Sequence, residues 1–271
     1  SFWNFIYKNG FFFKKLIYTL FSYAKRFGHL FSIRKYDIVY VHLWVTPFGF
    51  PLYEFLVKLL SKKLIYDIDD MIFLGHASKA NSFVSLIKGK SKVNYLLKHA
   101  DHVITCTPAL DEYARNFNKN TTDISSTIDT ELYQPMSGQK LTHPITLGWS
   151  GSYSTSKYLK LLEPVFIKLL KTHHIEVLVI GDENFTFSDK SIPIRTLPWQ
   201  LENEVKNLNQ IDIGLYPLPD EPWVYGKSGL KALQYMALEI PTIAQDLKGA
   251  NQRIIQSGEN GFLAGSNEEW V

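Results

Sequence analysis

Apolar runs alternate along this chain with segments whose apolar residues recur every third or fourth position. The run Asp37-Ile-Val-Tyr-Val-His-Leu-Trp-Val45 predicts a buried strand, broken by the stretch 47–51 with its two prolines. Residues 52–61 place Leu52, Phe55, Leu56, Leu59 and Leu60 at helical spacing. Lys63-Leu-Ile-Tyr-Asp-Ile-Asp-Asp70 predicts a strand running into an acidic turn, followed by a helix over 82–99, a strand at His102-Val-Ile-Thr-Cys106 and a helix over 108–117. Residues 118–143 are polar and turn-rich, with Pro135 and Gly138, and read as a linker. The alternation then restarts with a strand at Ile145-Thr-Leu-Gly-Trp149, a small-residue loop over 150–156 and a helix that sets Leu159, Leu162, Phe166 and Leu169 on one face. Strands at 175–180, 192–197, 211–216 and 241–245 follow, with a polar helix at 201–209 and a turn-rich loop at 258–265.

Strand and helix in regular alternation predict parallel βαβ units. The fold class expected is therefore α/β with two Rossmann-like domains, residues 1–143 and 144–271, and a ligand cleft between them at the carboxyl ends of the strands. A chain of 271 residues is long enough for both. With 45% hydrophobic and 20% charged residues it is globular rather than disordered. The single cysteine, Cys106, lies in an apolar run, which excludes an intramolecular disulfide and points to packing rather than nucleophilic chemistry. A reducing cytoplasm is the compartment expected.

The net charge of +3 hides an asymmetry, since residues 1–143 hold 18 Lys and Arg against 11 Asp and Glu, and residues 144–271 hold 11 against 15. Residues 1–36 alone carry seven cations (Lys8, Lys14, Lys15, Lys25, Arg26, Arg34 and Lys35), no carboxylate, and many interleaved aromatic residues. That mixture suits an anionic membrane surface on the inner face of the cell membrane. A core helix with snorkelling lysines is the plainer alternative. Lys14 and Lys15 interrupt the run, so it is no transmembrane span, and a nucleic-acid partner is not expected because the basic residues stay at one end without a matching motif.

The chemistry concentrates in Tyr225-Gly-Lys-Ser-Gly-Leu-Lys-Ala-Leu-Gln-Tyr-Met-Ala237, between two apolar runs. A helix beginning near Ser228 would place Leu230, Leu233 and Ala237 on the core face and Lys227, Lys231 and Gln234 on another. Ser228 is the expected N-cap, and Gly229 lets another group approach the backbone. Unpaired N–H groups and the positive end of the dipole attract anions there, and two lysines four apart at that end suit a phosphate or diphosphate. The bland reading is a capped surface helix with solvated lysines. Asp67-Ile-Asp69 is formally a DxD, a carboxylate pair able to hold a divalent metal on a diphosphate. His99 and His102 flank Asp101 but lack further ligands at metal spacing. No strand runs into a G-x-G-x-x-G, which argues against dehydrogenase chemistry.

Several blocks together resemble glycosyltransferase family 4, the retaining, nucleotide-sugar-dependent enzymes of the GT-B fold. They are Gly148-Trp-Ser-Gly-Ser-Tyr-Ser-Thr155, Leu197-Pro-Trp199, Asp212-Ile-Gly-Leu-Tyr-Pro217, Gly226-Lys-Ser-Gly-Leu-Lys-Ala-Leu-Gln-Tyr-Met-Ala237, Ile240-Pro241 and Asn260-Gly-Phe-Leu-Ala264, with Tyr66-Asp-Ile-Asp-Asp70, Ala100-Asp-His-Val-Ile104 and Ile128-Asp129 in the first half. The resemblance implies a nucleotide diphosphate at the 150–156 loop, with Gly151 and Ser152, and at the helix start, with Lys227, Ser228, Gly229 and Lys231. It implies a base near Trp199 and a ribose at Gln234. Family members commonly carry a pair of glutamates eight apart on this helix, and the chain has Gly226 and Gln234 in their places, leaving Asp220 and Glu221 as upstream replacements. Many members place an arginine where Ser152 stands, and Lys157 matches a family lysine slightly later. Lys227, Lys231 and Lys157 would then carry the charge of the leaving diphosphate, without a metal and without a protein nucleophile. Asp69 falls where many relatives place a histidine near the donor sugar, so Asp69 and Asp70 are candidates for binding sugar hydroxyls or deprotonating an acceptor, against a plain turn-capping role. The chain lacks the family's usual opening strand and closing helices, so it reads as truncated at both ends.

The function expected is transfer of a sugar from a nucleotide-diphosphate donor to a lipid-linked or cell-envelope polysaccharide acceptor by a peripheral membrane enzyme. The alternatives are a non-catalytic membrane-surface protein that keeps the nucleotide-sugar scaffold, and a metal-dependent DxD glycosyltransferase.

Overall fold

A computed structural model describes residues 10–46, 49–74, 90–136, 144–247 and 250–271. By its internal contacts the chain divides into two units, residues 1–106 with 110–124, and residues 125–271 with 107–109.

The first unit holds a four-stranded parallel sheet in the order β1-β2-β3-β4, with β1 Ile38–His42, β2 Lys63–Ile68, β3 His102–Thr105 and β4 Thr121–Asp123. Its helices are α1 Phe12–Leu30, α2 Leu52–Leu60, α3 Lys90–His99 and α4 Pro108–Arg115. Leu64, Tyr66, Val93, Leu96, Leu97, Val103 and Leu110 make the centre of its core. Three expectations change here. The strand expected to be buried at 37–45 is a sheet edge among the described residues, with Ile38 and Tyr40 more than half exposed. Of the helix expected over 82–99 only 90–99 lies within the described residues. The stretch read as a linker contributes a strand, since Thr121, Thr122 and Asp123 pair with Val103, Ile104 and Thr105. Two β-branched threonines suit a strand, but three residues are too few to show a period.

The second unit holds a six-stranded parallel sheet in the order β10-β9-β8-β5-β6-β7. The strands are β5 Ile145–Ser150, β6 Ile175–Ile180, β7 Ile194–Leu197, β8 Ile213–Tyr216, β9 Thr242–Gln245 and β10 Phe262–Ala264. β6 reads Ile-Glu-Val-Leu-Val-Ile with nearly every residue buried, the mark of a parallel strand covered on both faces. β10 lies inside the segment expected to be a loop, and Gly261 before it is where a Cβ would come within 3.0 Å of the Thr242 carbonyl. The chain moves from β5 outward to β6 and β7, then returns to place β8 on the other side of β5. That reversal makes a topological switch point at the carboxyl end of β5, where open α/β sheets bind ligands.

Two helices frame this point. Glu163–Leu169 continues a 3-10 segment Lys157–Leu162, and Leu159, Leu162 and Phe166 are buried as the periodicity predicts. The other, α5 Leu230–Ala237, packs on β8. Its buried face differs from the one expected: Ala232, Gln234 and Tyr235 are inside, while Leu230 is 42% exposed. Tyr235 decides this, because its ring lies where a Cβ on Gly214 would be, 2.5 Å from the nearest ring atom.

Candidate functional site

Beyond β5 the chain turns through Gly151 and Ser152, and beyond β6 through Gly181. These turns approach so closely that a Cβ on Gly181 would lie 2.1 Å from the Gly151 carbonyl oxygen, and Gly181 has φ of +105°, a conformation glycine alone adopts readily. The Gly151 and Gly181 N–H groups are fixed by the Ile180 and Leu197 carbonyls at 2.9 and 2.8 Å. The fully buried Tyr235 hydroxyl accepts from the Ser150 N–H at 3.1 Å, tying β5 to α5.

These features leave a cavity of about 570 Å³ lined by Ser150, Gly151, Ser152, Gly181, Glu183, Pro198, Trp199, Glu204, Leu230, Lys231 and Gln234. Every lining residue belongs to the second unit. Gly229, with φ of +75°, is the N-cap of α5 in place of the expected Ser228, and no side chain caps this end. Lys231, in the first turn, points its ammonium between two rings, 4.7 Å from the centre of Trp149 and 5.5 Å from that of Tyr216. A Cβ on Gly151 would stand 2.8 Å from the Lys231 Nζ. Among the described residues no carboxylate pairs with this ammonium. Burial, and next the charge of Lys227, pull Lys231 down to about 8.

Another part of the lining is a hydrogen-bonded group around Glu204. Its Oε1 accepts from Trp199 Nε1 at 2.9 Å and from Gln234 Nε2 at 3.3 Å, and its Oε2 accepts from the Tyr133 hydroxyl at 2.7 Å. Gln234 Nε2 also donates to the Tyr133 hydroxyl at 2.9 Å. Burial, and next the Glu204 contact, raise Tyr133 above the ordinary tyrosine range. Trp199 keeps half its surface exposed. The wall thus offers a carboxylate held by three donors beside a partly open indole.

The structure gathers Gly151, Ser152, Trp199, Lys231 and Gln234 of the expected site residues at one cavity. Ser228, Gly229, Lys227 and Lys157 do not line it. Lys227 lies over the Trp223 ring at 5.3 Å, and Lys157 is exposed over the Tyr158 ring at 5.0 Å. The upstream carboxylates are engaged elsewhere: Asp220 accepts from the Tyr225 hydroxyl at 2.9 Å and Glu221 from Trp223 Nε1. Asp69 and Asp70 belong to the first unit, just past the end of β2. There His42 Nε2 lies 3.3 Å from Asp69 Oδ1, Asp67 accepts from the Tyr40 hydroxyl, and Asp70 accepts from the Met71 N–H at 2.8 Å, a turn-capping contact. The Asp67 bond is the main cause pushing Tyr40 up to about 12. Asp101 is committed to Lys58 at 2.7 Å, and His99 Nδ1 lies 2.8 Å from the Tyr95 carbonyl. Cys106 donates to the Asp69 carbonyl at 3.2 Å, and burial pushes its thiol up to about 12, in keeping with a packing role.

Sequence reasoning missed Glu204, Glu183, Gly181 and Tyr133. Only Gly181, ending an apolar run, carried a local signal. Glu204 looked like one charge on a polar helix, and Tyr133 lay in the stretch taken for a linker.

Residues 144–271 match the family described as Glycosyl transferases group 1. No curated protein matches the chain. Among solved structures, sucrose-phosphate synthase from Thermosynechococcus elongatus superposes with a TM-score of 0.65 at 15% identity, over 92% of this chain and 66% of that one. TarM superposes with a TM-score of 0.60 at 14% identity, over 86% of this chain and 46% of its own. The lipopolysaccharide outer core galactosyltransferase WaaB, in its apo form, gives 0.53 at 15% identity, over 92% and 70%. The chain thus spans less than two thirds of the synthase and less than half of TarM. At such identities the likeness establishes the fold, that of the GT-B glycosyltransferases. The cavity described above lies wholly within the matched segment.

Proposed function

We propose that this protein is a retaining glycosyltransferase that binds a nucleotide-diphosphate sugar in the cavity beyond β5 and passes the sugar to a glycan acceptor. One observation carries the reading: the Lys231 ammonium, held between Trp149 and Tyr216 beside Gly151, faces a cavity at a helix start without a carboxylate partner among the described residues. A cation kept in an apolar slot without a counter-ion suits a ligand that brings negative charge. The first-turn N–H groups of α5 add donors of the same preference.

In this reading the diphosphate lies against Gly151, Ser152 and Lys231, and Lys231 stabilises the charge that grows on it as the glycosidic bond breaks. Ser152 offers a hydroxyl where the family resemblance leads one to expect an arginine. Lys227 adds positive charge nearby, lowering Lys231 further after burial has done so. Trp199 offers a ring for the base, and the Glu204 carboxylate and the Gln234 amide oxygen accept from the ribose hydroxyls. Asp69 of the first unit is assigned to sugar hydroxyls of the acceptor side. A lipid-linked or cell-envelope glycan is the acceptor class proposed, in keeping with the likeness to the lipopolysaccharide outer core galactosyltransferase WaaB.

Isothermal calorimetry of the full chain with UDP, GDP and ADP tests the reading. One of these should bind, and Lys231→Ala should weaken it by about tenfold or more, the loss of one charge-assisted contact. Binding of none by the unaltered protein refutes the proposal. A screen of nucleotide sugars for nucleotide release would then name the donor.

A further inference from the structure

The contacts of α1 with α2 lie along one side of the helix. Tyr23 meets Tyr53 of α2 edge-on at 5.5 Å between ring centres, the Tyr53 hydroxyl donates to the Tyr23 carbonyl at 3.1 Å, and Leu30 is buried. Turned away from that side runs an apolar row at helical spacing, Phe13, Ile17, Leu20 and Phe27, exposed by 78, 64, 61 and 50%. The next row round the helix is Lys14, Tyr18, Phe21 and Lys25, in which Phe21 is 68% exposed. The helix therefore presents three sectors in turn: one against α2, one apolar and largely exposed, and one cationic.

A stripe of large apolar side chains this wide is unusual on a soluble surface and marks an interaction face. Its charge selects the occupant. Residues 10–36 contain six Lys and Arg and no carboxylate. A second copy of the chain laid on the stripe would oppose cations to cations, which is unfavourable at short range. A surface that is apolar in depth and anionic at its rim meets both sectors together, and a bilayer with anionic headgroups is such a surface. Aromatic rings favour the headgroup level, and lysines at the stripe's edge can lay their stems on the apolar layer while reaching the phosphates.

We propose that α1 lies in the plane of an anionic membrane surface, burying Ile17, Leu20, Phe21 and Phe27 at the headgroup boundary while Lys14 and Lys25 contact lipid phosphates. This is an interfacial helix, since no helix among the described residues is long and apolar enough to cross a membrane. The inference stands apart from the nucleotide reading, because α1 belongs to the first unit and the cavity to the second.

Co-sedimentation of the full chain with vesicles tests it. The protein should bind vesicles of phosphatidylglycerol with phosphatidylcholine and partition about tenfold or more weakly onto phosphatidylcholine alone. Ile17→Asp with Phe21→Asp should abolish binding, and Lys14→Gln with Lys25→Gln should weaken it about tenfold, with circular dichroism and nucleoside diphosphate binding unchanged. Failure of the unaltered protein to bind the anionic vesicles overturns the proposal, as does undiminished binding by the aspartate variant. If that variant does not fold, the lysine variant decides, and unchanged partitioning by it overturns the proposal. Light scattering that shows a dimer abolished by the aspartate substitutions would assign the stripe to a second copy instead. Loss of nucleotide binding by the unaltered protein would refute the nucleotide reading and leave this one standing.

Discussion

Gln234 donates from Nε2 to Glu204 Oε1 at 3.3 Å, so an amide on α5 and a carboxylate from a separate helix act as one polar group on the cavity wall. The resemblance implies a carboxylate at position 234 for the ribose, and Glu204 brings that charge to the same place from another element. An ionised carboxylate has about four acceptor positions, and three donors already engage this one. A ribose hydroxyl can take the remainder. Glu204→Gln is expected to weaken nucleoside diphosphate binding about tenfold, with a smaller effect on a 2′,3′-dideoxy analogue, because a contact to a charged group is lost only where hydroxyls are present. Calorimetry with both ligands checks this. Equal losses for the two would mean that Glu204 only holds Trp199 and Tyr133 in place.

Lys231 predicts a pH dependence with a definite sign. Its ammonium sits at about 8, so it is charged below that pH and neutral above it. A bound diphosphate favours the charged form, so the complex retains the proton to a higher pH than the free protein does. Affinity should therefore be flat just below pH 8 and fall by up to about tenfold per pH unit above it, with proton uptake on binding. Calorimetry in two buffers of different ionisation enthalpy measures that uptake. Lys231→Met should remove it and flatten the profile.

The α/β alternation was legible because parallel strands buried on both faces, such as β6, leave continuous apolar runs, and because the helix with Leu159, Leu162 and Phe166 keeps a strict period. β4 and β10 were not, since three residues cannot display a period and their pairing is decided by neighbours distant in sequence. The face of α5 was misread for a related reason. Counting leucines favoured Leu230 and Leu233, whereas the space above Gly214 selected Tyr235. At the cavity, the loop and Lys231 were readable because glycines and a cation at a helix start are local signals. Glu204 and Tyr133 were not, because their meeting with Gln234 spans up to 101 positions along the chain.

The two cavity glycines should fail in different ways. At Gly181 a Cβ would lie 2.1 Å from a backbone oxygen with φ at +105°, so Gly181→Ala forces both a clash and a strained backbone. Destabilisation of about 2 kcal/mol or more is expected, read as a lower midpoint in urea. At Gly151 the added carbon would meet the Trp149 ring at 2.6 Å and the Lys231 ammonium at 2.8 Å. The lysine can swing away but the buried Trp149 ring cannot, so Gly151→Ala should impair nucleoside diphosphate binding as well as stability. Titration and denaturation of both variants separate the effects.

In the first unit, Lys92 and Glu54 are both fully buried, with Nζ 3.4 Å from Glu54 Oε1 and 3.0 Å from the Thr46 carbonyl, and with a further bond to the Thr46 hydroxyl. Burial lowers Lys92 from its ordinary range, with Glu54 opposing the shift. Glu54 Oε2 has no hydrogen-bond partner among the described residues, so Lys92 is the main compensation for that carboxylate. Taking two charges out of water is costly, and taking away only one leaves the other uncompensated. Lys92→Met is therefore expected to cost about 3–5 kcal/mol, whereas adding Glu54→Leu should recover most of the loss because no buried charge is then left uncompensated. Urea unfolding of both single variants and the double variant gives the coupling, which should exceed about 2 kcal/mol. A double variant less stable than Lys92→Met alone would show that Glu54 contributes through Thr46, whose backbone N–H donates to Glu54 Oε1 at 3.2 Å, rather than through the lysine.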